Sequence, residues 1–127
     1  IDYVNAHGTS TTVNDKVETV ACKQVFGQAA YDTPVSSTKS MMGHLIAAAG
    51  VTELIVCLMA IRDGVLPATM NYENPDPECD LDCIPLVGRP FQFEHAIKLS
   101  VAFGGHLAAI ALRRWGDAGE GRVERAA

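Results

Sequence analysis

Apolar and polar residues alternate through Ile1-Asp2-Tyr3-Val4-Asn5, which predicts a short strand. The period then lengthens. Val17, Val20, Ala21, Val25 and Phe26 recur at helical spacing and predict an amphipathic helix from about Asn14 to Phe26. Asn14 reads as its N-cap, Asp15 and Glu18 suit its positive first turn, and Gly27 fits the C′ position. Gln28 to Thr33 is a polar connection, and Pro34-Val35-Ser36-Ser37 is a second short strand. From Leu45 to Ile61 only Thr52 and Glu53 are clearly polar, so this run predicts a buried helix ending near Asp63, with Gly64 as its stop. Leu66 to Asp82 is loop-like, with three prolines and a concentration of acids. Ala96–Val101, the turn Phe103-Gly104-Gly105-His106 and Leu107–Leu112 read as a hairpin. From Gly116 onward the chain is polar and is expected to fray, which leaves 1–115 as the domain and 116–127 as a tail.

Strand, helix, strand, buried helix and hairpin make an α/β pattern. A helix apolar on most faces needs cover on all of them. One small layer cannot provide it, so the helix is expected to pack against a second sheet or another subunit. The chain also opens on a strand without an initiator methionine, and is expected to be part of a longer polypeptide.

Composition narrows the function classes. With 48% hydrophobic and 20% charged residues the chain is globular rather than disordered. A net charge of -5 points to neither a nucleic-acid nor an anionic-membrane partner. The long apolar run is at the lower edge of membrane-spanning length and contains Glu53, so a buried helix is the better reading. No secretory signal is visible, and a cytoplasmic protein with reduced thiols is expected. Cys22, Cys57, Cys79 and Cys83 lack zinc-site spacing. The acids between Glu73 and Asp82 lack the spacing and glycine of a calcium loop, so no metal site is expected.

Two stretches carry candidate chemistry. Ala6-His7-Gly8-Thr9-Ser10-Thr11 follows a strand end, where ligand groups gather in α/β sheets. Its hydroxyls either bind a polar substrate arm or serve as turn-formers. Lys39 to His44 leads into the apolar helix, whose N-terminus disfavours a protonated imidazole. His44 is thus either a neutral hydrogen-bond donor or simply the first residue of a core helix.

Four motifs then carry a resemblance: Asn5-Ala6-His7-Gly8-Thr9-Ser10-Thr11, Ser36-Ser37-Thr38-Lys39-Ser40-Met41-Met42-Gly43-His44, Asn74-Pro75-Asp76-Pro77-Glu78-Cys79-Asp80-Leu81-Asp82 and Phe103-Gly104-Gly105-His106. In this order, across Ile1 to Arg113, the sequence resembles the C-terminal portion of β-ketoacyl-[acyl-carrier-protein] synthases, and the elongating type II enzymes in particular. The resemblance implies a thiolase-like fold, the five-layer αβαβα sandwich, with this chain as part of its C-terminal half and a homodimer as the usual assembly. It implies a decarboxylative Claisen condensation of malonyl-carrier protein with an acyl-enzyme thioester. Acyl carrier protein and the synthase's N-terminal half would be partners, and no cofactor is needed beyond the carrier's phosphopantetheine. His7 and His44 resemble the two catalytic histidines and Lys39 the active-site lysine. Glu53 falls where its partner glutamate stands. Phe103 is similar to the gating phenylalanine whose N–H serves the oxyanion hole, and Thr9 and Thr11 resemble the hydroxyls that hold the substrate arm.

The sequence also departs from the family. No cysteine matches the nucleophile motif, so these residues alone are expected to be inactive. Leu99-Ser100-Val101-Ala102 replaces the usual Asn-Ser-Phe-Gly, and Leu107 stands for an Asn. Those changes bear on the gate and on acyl-chain preference. Fatty-acid elongation is the leading expectation, with a polyketide ketosynthase or a non-catalytic partner subunit as alternatives.

Overall fold

The computed structural model describes residues 1–115, and the tail expected from Gly116 lies outside them. In chain order the elements are β1 (Tyr3–Asn5), α1 (Asn14–Phe26), β2 (Val35–Ser36), the single-turn α2 (Lys39–Met42), α3 (Ala49–Asp63), β3 (Val65–Leu66), β4 (Arg89–Pro90), β5 (His95–Ala102) and β6 (His106–Arg113). Short 3-10 turns stand at Gly27–Tyr31, Ile46–Ala48 and Phe103–Gly105. The main sheet runs β2-β1-β5-β6, parallel across β2, β1 and β5, and closed by the antiparallel β5–β6 hairpin. A small β3–β4 pair lies beside it.

Alternation along the strands decides the layers. Tyr3 and Ala96 face α3 and form a core with Cys57, Ala60, Ile61, Leu66, Ile84 and Phe93. Val4, one residue on, faces the other way and packs with Cys22, Ala30 and Leu81 on the α1 side. Both faces of the sheet are therefore covered, as a parallel sheet requires. Gly64 takes the left-handed conformation (φ 65°, ψ 42°) that ends α3 and turns the chain into β3.

Several expectations need correcting. The apolar run does not start its helix at Leu45. Gly43 (φ 77°, ψ 177°) breaks the chain after α2, a 3-10 turn follows, and α3 begins only at Ala49. His44 thus sits in a loop ahead of the helix. Asn14 is the first helical residue rather than a cap, and its amide donates to Asp15 and Glu18 instead. On α1 the expected buried valines, Val17, Val20 and Val25, are exposed, while Thr19 and Cys22 face inward. Thr19 can do so because its hydroxyl donates to the Asp15 carbonyl at 2.8 Å.

The expectation of missing cover holds for α3. Val51, Ile55, Leu58 and Met59 recur on one face of that helix and are all exposed. Leu107 and Ile110 on β6 are exposed too. Contiguous apolar surface of this kind marks a contact face. The acidic loop is held down by charge: Lys16 pairs with Glu78 and lies 3.7 Å from Asp76, Lys23 pairs with Asp80, and Arg89 pairs with Asp82. Such surface pairs add little stability each, but together they fix the loop against α1 and β4. No helix among the described residues is long and apolar enough to cross a membrane.

Candidate active site

β1 delivers the first histidine. The Ala6 N–H still donates to the Ser36 carbonyl at 2.9 Å, so the chain leaves the sheet only at His7. There the backbone donors turn to a side chain. Glu18 of α1 accepts from the His7 N–H and the Gly8 N–H, each at 2.7 Å, and from the Asn14 amide at 2.7 Å. The Ser37 hydroxyl donates to the Gly8 carbonyl at 2.6 Å. Gly8 has a φ of +45°, and a Cβ there would come within 2.4 Å of the Ser37 Cβ. Only glycine fits this approach. The loop is clamped from two sides, and His7 is set by its backbone rather than by its ring.

His44 arrives from the other direction, out of the break after α2. Its ring meets His7 edge-on, with centroids 5.4 Å apart and planes at 82°. The Ile46 N–H donates to His44 Nδ1 at 3.1 Å. A nitrogen that accepts carries no proton, so the ring's hydrogen is on Nε2 and free to be donated. His7 is 7% exposed, and burial together with the Lys39 ammonium holds its pKa below the ordinary 6.5. Two imidazoles, each a potential donor, share one corner of the fold.

Behind them is a buried ionic cluster. Lys39 Nζ is 2.5 Å from Glu53 Oε1, which joins α2 to α3 as the resemblance implied. The other carboxylate oxygen is 2.7 Å from Lys98 Nζ on β5. Glu53 and Lys98 are each 1% exposed. Lys98 also donates to the Leu99 carbonyl. Burial holds the Lys98 pKa below its ordinary value, with Glu53 opposing the shift.

The remaining candidates are arranged more loosely. Thr9 Oγ1 and Thr11 Oγ1 are 3.2 Å apart and line a cleft of about 590 Å³ between their loop and the segment around Asn71 and Tyr72. Gly8 and Lys39 also line that cleft, whereas the two imidazoles do not. Phe103 is not gathered in with the histidines: it is 91% exposed at the hairpin turn. Three of the thiols are held back from ionising. Burial pushes Cys57 up to about 12, Cys83 up to about 11, and Cys22 upward as well. Among the described residues, no group of three or more His, Cys, Asp or Glu could hold a metal ion.

Two residues of this site were not singled out from sequence. Glu18 was assigned to the helix dipole, although its placement one turn into α1 suits a clamp on the preceding loop. Lys98 was passed over as an ordinary strand residue. Its signal was its parity with Ala96, which faces α3.

The family described as "Beta-ketoacyl synthase, C-terminal domain" matches residues 1–73. The tetracenomycin polyketide synthase ketoacyl synthase alpha subunit of Streptomyces glaucescens is 50% identical over 90% of this chain and 27% of its own length. The 3-oxoacyl-[acyl-carrier-protein] synthase 2 of Synechocystis sp. is 48% identical over 91% of this chain and 28% of its own length. Among solved structures, a type II polyketide synthase acyl-carrier protein in complex with its ketosynthase bound to the hexaketide has a chain that superposes with a TM-score of 0.87. The identity there is 42%, covering 89% of this chain and 28% of that one. The chain thus spans little more than a quarter of the length of these relatives, and its fold is the thiolase-like fold of their condensing enzymes. On the matched strand, loop and helix that bring His7, Lys39 and His44 together, this chain belongs to the β-ketoacyl synthase family and corresponds to its C-terminal domain.

Proposed function

We propose that this chain is the decarboxylating portion of a type II polyketide ketosynthase. The observation that carries the reading is the edge-on pair of imidazoles in front of the Lys39–Glu53 ion pair. Malonyl-carrier protein loses carbon dioxide, and the electrons of the broken bond pass to an enolate on the thioester oxygen. The His7 and His44 N–H groups donate to that oxygen as its charge develops. The enolate carbon then attacks the carbonyl of an acyl chain held as a cysteine thioester. The thiolate leaves, and a β-ketoacyl chain remains on the carrier.

Within this scheme Lys39 and Glu53 organise the site, Thr9 and Thr11 hold the phosphopantetheine arm, and the Phe103 N–H serves the acyl oxyanion. The nucleophilic cysteine is supplied from outside these 127 residues, since none of the four cysteines here stands in the family's nucleophile motif, and burial makes Cys22, Cys57 and Cys83 poor thiolates besides. The exposed face of α3 and the edge strand β6 pack against the remainder of a longer, dimeric synthase that receives its acyl carrier protein.

Fatty-acid elongation was the leading expectation from sequence. The similarity to ketosynthases of polyketide assembly moves the weight to that pathway, while the Synechocystis relative keeps elongation as the second reading. A purely structural partner subunit is disfavoured because it has no use for a clamped His7 beside His44. The test is acceptor choice by the full-length protein supplied with malonyl-carrier protein. A polyketide ketosynthase elongates β-ketoacyl thioesters. Exclusive use of saturated acyl thioesters would return the reading to fatty-acid elongation.

A further inference from the structure

Lys98 sets a problem of charge. A single carboxylate, Glu53, lies between two ammonium groups, at 2.5 Å from Lys39 and 2.7 Å from Lys98. The Lys39–Glu53 pair is balanced on its own, so the second lysine is surplus to neutralisation. Burying an ammonium costs several kcal/mol, and an apolar residue on that strand would avoid the cost. The groups that could absorb the excess do not. The Cys57 thiol, on the same face of α3, is pushed up to about 12 by burial. The Tyr3 hydroxyl, on β1, is likewise raised by burial and stays protonated. Burial holds the Lys98 pKa below its ordinary value and Glu53 opposes that shift; with both lysines protonated the cluster is net positive inside the fold.

His7 is the titratable group that feels it. Burial disfavours the imidazolium at His7 most and Lys39 next, with Lys98 and His44 acting in the same direction and Glu18 opposing them. We propose that Lys98 is a positioning residue of this site: as a second cation on Glu53 it leaves the buried Lys39–Glu53–Lys98 cluster net positive, and this charge adds to burial in keeping His7 in its neutral, donating form. The inference rests on the ketosynthase reading for its purpose, but the coupling between Lys98 and His7 is a property of the fold itself.

The sign of the test follows directly. Removing the Lys98 charge makes His7 easier to protonate, so its titration midpoint rises. In the full-length protein, the His7 imidazole is followed by NMR across pH in the native sequence, Lys98→Met and Lys98→Arg. The acid limb of malonyl-carrier-protein decarboxylation is recorded alongside. The midpoint and the acid limb should both move up by at least several tenths of a pH unit in Lys98→Met. In Lys98→Arg, which keeps the charge, both should stay near the native position. A Lys98→Met midpoint that does not move, or an equal movement in Lys98→Arg, overturns the proposal. A residue that only fills space would lower the rate uniformly across pH and leave the limb in place. Should Lys98→Met fail to fold, Lys98→Gln offers the same loss of charge with a polar tip. A native protein that releases no carbon dioxide, yet whose His7 midpoint still responds to Lys98→Met, retains the coupling and loses the ketosynthase reading.

Discussion

Replacing His7 with Ala in the full-length protein should lower malonyl-carrier-protein decarboxylation by roughly 100- to 1,000-fold, the usual cost of removing one donor from a developing oxyanion. The loss should fall on kcat, with KM for the carrier little changed, because the enolate charge is absent from the bound substrate and develops on the way to the transition state. His44→Ala should behave alike. The double variant should lose little more than either single one, since two donors that address a single oxygen act as a unit. His7→Asn keeps an N–H donor on the same clamped backbone, held by Glu18 through two 2.7 Å bonds, and should recover part of the rate. These rates come from steady-state release of labelled carbon dioxide. A His7→Ala protein within a few-fold of the native rate would remove the enolate role from that residue.

The second large effect concerns stability. Glu53→Ala removes the one anion between Lys39 and Lys98 and leaves two ammonium groups buried without a counter-charge. Breaking a buried pair in this way costs about 3–5 kcal/mol, and urea unfolding of the full-length protein should show it as a lowered midpoint. Glu53→Gln keeps the shape and one acceptor oxygen, so its loss should be smaller. Surface pairs offer a contrast. Asp80→Asn, which breaks only the exposed contact with Lys23, should leave the midpoint nearly where it was. A midpoint unchanged in Glu53→Ala would show that the cluster is wetter than its burial implies.

Much of the fold was legible because its punctuation is strong. Gly27 and Gly64 end α1 and α3 where the sequence placed their stops, and the Phe103-Gly104-Gly105 turn marks the hairpin. The pairing of Lys39 with Glu53 was legible from the family motif, although not from spacing. What escaped reading has physical reasons. A helical run of apolar residues says nothing of where its first turn closes, and Gly43 delays α3 until Ala49, so His44 gains its neutral tautomer from the Ile46 N–H rather than from the helix end. On β5 the bulkier parity, Ile97, Leu99 and Val101, looks like the buried one. A sheet covered on both faces has no single inward parity, and the structure buries Ala96 and Lys98 instead. The valines of α1 misled for a related reason. A chain that carries contact faces for other surfaces shows apolar periodicity where it has no core of its own.

If these residues hold the decarboxylating half of a condensing site, the nucleophile lies elsewhere in the protein. The intact mass of the full-length gene product after incubation with an acyl-carrier-protein thioester, followed by peptide mapping of the adduct, tests this. One acyl group per protomer is expected, on a cysteine outside residues 1–127. An adduct on Cys22, Cys57, Cys79 or Cys83, or a protein that takes up no acyl group at all, would contradict it.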